Sequence, residues 1–86
     1  MTEHINLCEL AVGEYAIVDY IDDLCPLKRR LLDLGLINGT KITCLMKSPL
    51  GDPTAYLIRG NTIALRGEEQ KMIYISAWGK NNGADS

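Results

Sequence analysis

The chain has 86 residues, enough for one small domain. Its 9 basic and 11 acidic residues leave a net charge of -2, which argues against nucleic acid as a partner, since binding there requires attraction to phosphate. With no Phe, one Trp and four Tyr, the core must rest on Leu, Ile and Val. The N-terminal stretch MTEHINLCEL carries no basic leader followed by an apolar run, and no segment approaches the ~20 apolar residues of a membrane span, so the chain is expected to be cytoplasmic. Three cysteines, Cys8, Cys25 and Cys44, are an odd count and fit reduced thiols in that compartment.

Leu7, Leu10 and Val12 lead to Gly13 as a short helical turn or the entry to a strand. YAIVDY, Tyr15 to Tyr20, is rich in β-formers and reads as the first long strand. DDLCPLKRRLLDLG then predicts a helix. Asp22 and Asp23 are cap residues, and Pro26 suits a first turn. Leu24, Leu27, Leu31 and Leu34 recur at helical spacing, and Gly35 stops the helix. Arg29, Arg30 and Asp33 fall on the opposite face, while Lys28 lies between Leu31 and Leu32 and must snorkel or line a partner surface.

After the turn pair Asn38-Gly39, KITCLMK predicts a strand with Ile42, Cys44 and Met46 on one side. The loop SPLGDP and the strand TAYLIRG follow, then a turn at Asn61 and the strand TIALR. RGEEQK is a polar stretch, and MIYIS is a last short strand ending at Ser76. Residues 77–86 lack periodicity and read as a flexible tail, which leaves residues 1–76 as the single domain. About five short strands with one helix after the first long strand cannot form a βαβ series. They fit a mostly β fold, a small antiparallel barrel with the helix plugging one side.

The inventory excludes most catalysis. His4 is the sole histidine, Ser48, Ser76 and Ser86 have no base partner in sequence, and no GxxxxGK[ST] or GxGxxG occurs. The chain therefore reads as a non-enzyme without a cofactor. His4 and Cys8, four residues apart, are weak candidates for a metal, and a transition-metal sensor using His4 and the cysteines is the alternative reading. No CxxC pair supports it, and Cys44 faces inward on its strand. The run Lys28-Arg29-Arg30 is a solvated helix face or a contact for an acidic partner. Tyr15, Tyr20, Tyr56, Tyr74 and Trp78 are too scattered to form the aromatic groove that binds proline-rich peptides.

Four segments in order, LCELAVGE (Leu7 to Glu14), RRLLDLGLINGT (Arg29 to Thr40), SPLGDP (Ser48 to Pro53) and IALR (Ile63 to Arg66), resemble the FeoA family of ferrous iron transport accessory proteins. The resemblance spans roughly residues 5 to 76. It implies an SH3-like barrel with a helix inserted after the first strand. Related metal-dependent repressors carry a similar barrel, but no DNA-binding half is present here, so a repressor role is not expected. The implied partner is FeoB, a membrane GTPase that carries ferrous iron, with membrane association through that partner alone. Leu31, Leu34, Gly35 and Gly39 match family positions that look architectural. Arg30, Leu50, Asp52 and Arg66 match positions able to contact a partner, and Lys28 and Arg29 join them as candidates. The three cysteines depart from many relatives.

Within SPLGDP, Ser48, Pro49 and Gly51 suit positions i, i+1 and i+3 of a type I turn. Leu50 at the tip either folds back to cap the barrel or stands out as a knob for a partner.

Overall fold

A computed structural model describes residues 5–80, and for Ala77 and Trp78 the backbone alone. Its strands are β1 (Ile5–Asn6), β2 (Glu14–Ile21), β3 (Lys41–Lys47), β4 (Thr54–Ile58), β5 (Asn61–Leu65) and β6 (Ile73–Lys80). Two short helices, α1 (Lys28–Asp33) and α2 (Gly67–Gln70), and a 3-10 turn at Leu7–Glu9 complete the fold. The strands form one antiparallel sheet in the order β1-β6-β2-β3-β4-β5. The mostly β expectation holds, with six strands in place of about five.

Among the described residues the sheet is not closed by strand hydrogen bonds. Its two edges are joined instead through the turns that follow them. The 3-10 turn after β1 meets α2 after β5, and Tyr56 of β4 links both, its hydroxyl 3.0 Å from Gln70 Oε1 and 3.3 Å from the Leu7 carbonyl. Leu7, Leu10, Val18, Leu31, Leu36, Ile42, Tyr56, Ile58, Leu65 and Ile73 are fully buried between. Leucine, isoleucine and valine dominate this core, as the composition requires.

Four local expectations are corrected. The helix predicted from Asp22 covers only the six residues of α1. Pro26 disfavours helical geometry at Cys25, and the Asp22 carboxylate accepts from Leu24 N at 2.8 Å, so residues 22–27 form turns. Leu24 is consequently 79% exposed, off the expected apolar face. Gly35 does end α1: at φ +95° it lets Leu36 N donate back to the Leu31 carbonyl at 2.9 Å.

On β3 the register shifts between Cys44 and Met46, leaving Leu45 as an extra residue. The bulge turns Met46 outward, 63% exposed, where simple alternation put it inside. In the polar stretch, α2 forms because Glu69 Oε1 accepts from Arg66 N at 2.8 Å and Gln70 is buried. Finally, β6 runs four residues past the expected boundary at Ser76. Gly79 pairs with Tyr15 and Lys80 with Glu14, so the order of residues 77–80 comes from β2 rather than from local pattern. The rest of the expected tail, residues 81–86, lies outside the described residues.

Candidate functional site

The loop Ser48 to Pro53 joins β3 to β4, and its own hydrogen bonds stiffen it. Gly51 N donates to the Ser48 carbonyl at 2.7 Å, closing the expected turn, with Gly51 at φ +84°. The Ser48 hydroxyl accepts from Asp52 N at 3.0 Å and donates to the Asp52 carbonyl at 2.8 Å. Ser48 N donates to the Pro53 carbonyl at 3.1 Å across a cis Asp52-Pro53 peptide. Asp52 then reaches outside the loop: its Oδ1 accepts from Gly67 N, the first residue of α2, at 2.8 Å. Every polar group of the loop named here has a partner, yet Leu50 at its tip is 93% exposed. The capping alternative is therefore corrected. Leu50 is a knob on a preordered loop, and such a loop loses little conformational freedom on binding. Arg66, at the end of β5, and Met46, beside the bulge, are exposed at the same end of the sheet.

The basic run sits elsewhere. Arg29 and Arg30 are exposed on α1. Lys28 is half-buried and pairs with Asp23, whose carboxyl is held below its usual range by the Lys28 hydrogen bond and then by its charge. Lys28 also lines a cavity of about 200 Å³ with Tyr20, Leu32, Leu36 and Ile37. That cavity flanks the second half of β2, toward the Lys41 end of β3, whereas Leu50 lies beyond its Lys47 end. Seven residues of β3 span roughly 20 Å, so the six candidate residues do not form one site. The structure divides them into Lys28, Arg29 and Arg30 at one end, and Leu50, Asp52 and Arg66 at the other. Asp52 is in place as an anchor of the loop.

The thiols do not converge on a metal site. Cys25 and Cys44 are buried in the core, and Cys8 is exposed. Desolvation, with smaller contributions from Glu9 and Asp52, raises the Cys8 thiol above its usual range against the opposing pull of Lys71 and Lys47. A raised thiol is a poorer ligand at neutral pH, because the thiolate is the binding form. Among the described residues no group of three His, Cys, Asp or Glu side chains could hold a metal ion. His4 lies outside the described residues.

The tyrosines serve structure. Tyr56 is buried, Tyr20 stacks on Tyr74 with centroids 4.7 Å apart, and Tyr15 carries Lys41 Nζ over its ring at 4.9 Å. Sequence reasoning missed Arg59. It was expected inside the strand TAYLIRG with the turn at Asn61, but β4 ends at Ile58 and Asn61 opens β5, so Arg59-Gly60 is the two-residue turn, with Arg59 at φ +47°, where Asn or Gly is usual. An Arg-Gly pair between two β-like runs was the available signal. No helix among the described residues is long and apolar enough to cross a membrane.

Comparison with known proteins decides the family. The FeoA domain model matches residues 5–77. The chain belongs to the FeoA domain family. Two solved FeoA structures share its fold. A FeoA-like protein from Clostridium acetobutylicum is 34% identical, with a TM-score of 0.77 and 90% of each chain covered. FeoA from Stenotrophomonas maltophilia, solved with zinc and described as an SH3 domain protein, is 27% identical, also with a TM-score of 0.77, over 88% of this chain and 96% of that one. This chain thus shares the SH3-like architecture. A fusion of Fe(2+) transport protein A with the Fe(2+) transporter FeoB in Porphyromonas gingivalis is 29% identical over 77 residues. That match covers 90% of this chain and 9% of the fusion's length.

Proposed function

We propose that this FeoA domain is a non-catalytic cytoplasmic accessory module of ferrous iron uptake that acts by binding the membrane GTPase transporter FeoB. The observation that carries the reading is the Porphyromonas gingivalis fusion, in which a homologous domain and FeoB are one chain. Fusion holds two partners at a high effective concentration, and their contact then depends on a surface of the domain suited to it. The preordered Leu50 knob, with Arg66 at the same end of the sheet, and the exposed cations of α1 both suit such a contact. Neither described serine is poised for chemistry. The Ser48 hydroxyl is committed within its loop, and Ser76 Oγ lies 3.4 Å from the Ile17 carbonyl. The iron is FeoB's cargo in this reading, and the small domain does not carry it.

The test is co-purification of the tagged domain with FeoB from membranes, in the GTP-bound, GDP-bound and nucleotide-free states. Specific retention in at least one state is expected. Absence of retention in every state refutes direct binding. The domain alone is expected to hydrolyse no GTP, and hydrolysis above a blank refutes the non-catalytic assignment.

A further inference from the structure

Beside the β4–β5 turn lies a groove of about 350 Å³ whose lining includes Lys41, Thr43, Leu57 and Arg59. Among the described residues it carries two cations and no carboxylate. Arg59 is held there against its backbone preference, since φ +47° is a left-handed conformation that non-glycine residues adopt only at a cost. Its side chain is seated by Gly35. A Cβ at Gly35 would stand 2.5 Å from Arg59 Cδ and 2.8 Å from Nε, so the missing side chain is the space the arginine occupies. Yet no hydrogen bond or ion pair to the guanidinium forms among the described residues. Lys41 is steadied over the Tyr15 ring, its Nζ 4.9 Å from the centroid. Leu57, 37% exposed, adds an apolar wall.

A strained backbone, a fitted seat and an unpaired planar cation together describe a group positioned for a ligand outside the chain. We infer that this groove docks an acidic segment of a partner protein, with a carboxylate taken by the Arg59 fork and an aliphatic side chain against Leu57. Arginine matches a carboxylate in two-point geometry, which favours this occupant. A phosphate backbone is the less suitable occupant for a chain of net charge -2. The inference deepens the FeoB reading and rests on it: the acidic segment would belong to the cytoplasmic part of that transporter.

The experiment measures affinity of the full chain for the soluble GTP-binding portion of FeoB and for full-length FeoB, at low and high salt. Arg59→Glu should weaken association by about tenfold or more. Arg59→Gly should weaken it severalfold and flatten its salt dependence, while the melting temperature holds or rises because glycine accepts the turn. Lys71→Glu, the same charge change at an exposed site outside the groove, should stay within about twofold. If wild type binds and both Arg59 variants bind within about twofold of it, the groove is not the docking site and only this inference falls. Failure of wild type to bind either form of FeoB removes the parent reading and this one with it. Tighter binding to a single-stranded oligonucleotide than to FeoB, lost in Arg59→Gly, would also overturn the acidic-segment assignment.

Discussion

Removing one buried hydroxyl tests how the open sheet holds its edges together. In Tyr56→Phe the ring remains and no cavity forms, so the change isolates the hydrogen bond. Tyr56 is fully buried and Gln70 nearly so. The Leu7 carbonyl keeps a donor, Leu10 N at 3.0 Å, and is not orphaned. Gln70 fares differently. Its Nε2 donates to the Leu65 carbonyl at 2.8 Å, but its Oε1 has Tyr56 as its sole donor among the described residues. An unsatisfied buried acceptor costs about 1–3 kcal/mol. A domain of this size has roughly 4–13 kcal/mol in all. A loss near 2 kcal/mol should lower the melting temperature by roughly 8–16 °C, measured by circular dichroism. A change under about 2 °C would refute the proposed closure through Gln70. The same hydroxyl makes a pH prediction. Desolvation, aided by the Cys44 and Cys8 thiols, pushes the Tyr56 phenol well above its ordinary value of 10.0. At neutral pH both folded and unfolded chains keep the proton, and the stabilisation is fully present. Above about pH 10 the unfolded chain releases it first, so stability falls as pH rises, and the fall should be shallower in Tyr56→Phe.

Other outcomes follow from named contacts. Gly35→Ala meets both a positive φ and the Arg59 side chain, while Gly39→Ala at the same φ of +95° meets no atom within 4 Å. Gly35→Ala should therefore be the more destabilising by about 1 kcal/mol, and Arg59→Gly should recover part of the difference in a denaturation double-mutant cycle. Leu50→Ala should alter stability by no more than about 0.5 kcal/mol, because the side chain is exposed, while weakening retention on FeoB membranes. Asp52→Ala removes the acceptor of Gly67 N and should cost about 0.5–1.5 kcal/mol by urea denaturation.

What was legible in the sequence was what local chemistry decides. Gly35 had to end α1, and the β-forming run from Thr54 marked the start of β4, because turn preference and strand propensity act over a few residues; its end was expected at Gly60 rather than Ile58. The loop between β3 and β4 was legible for the same reason. Tertiary pairing decided the rest. A bulge at Leu45 reversed Met46, and β2 drew residues 77–80 into β6 without any apolar pattern in them. Gln70 reads as surface in a polar run, yet the hydroxyl of Tyr56, 14 residues away, makes its burial tolerable. Among the site candidates, local sequence could identify a stiff loop but not whether Leu50 was covered. Nor could it show that the Lys28 run and the Leu50 loop lie toward opposite ends of β3. Arg59 was hidden because its importance comes from a turn geometry and from Gly35, 24 positions earlier.

Direct association with FeoB is decided by an equilibrium binding measurement on purified proteins. The domain, titrated by calorimetry into detergent-solubilised full-length FeoB with GTP analogue, GDP or no nucleotide, should bind saturably in at least one state. Leu50→Ala should bind more weakly in that state. Absence of saturable binding in all three states, with both proteins folded, would rule out direct association.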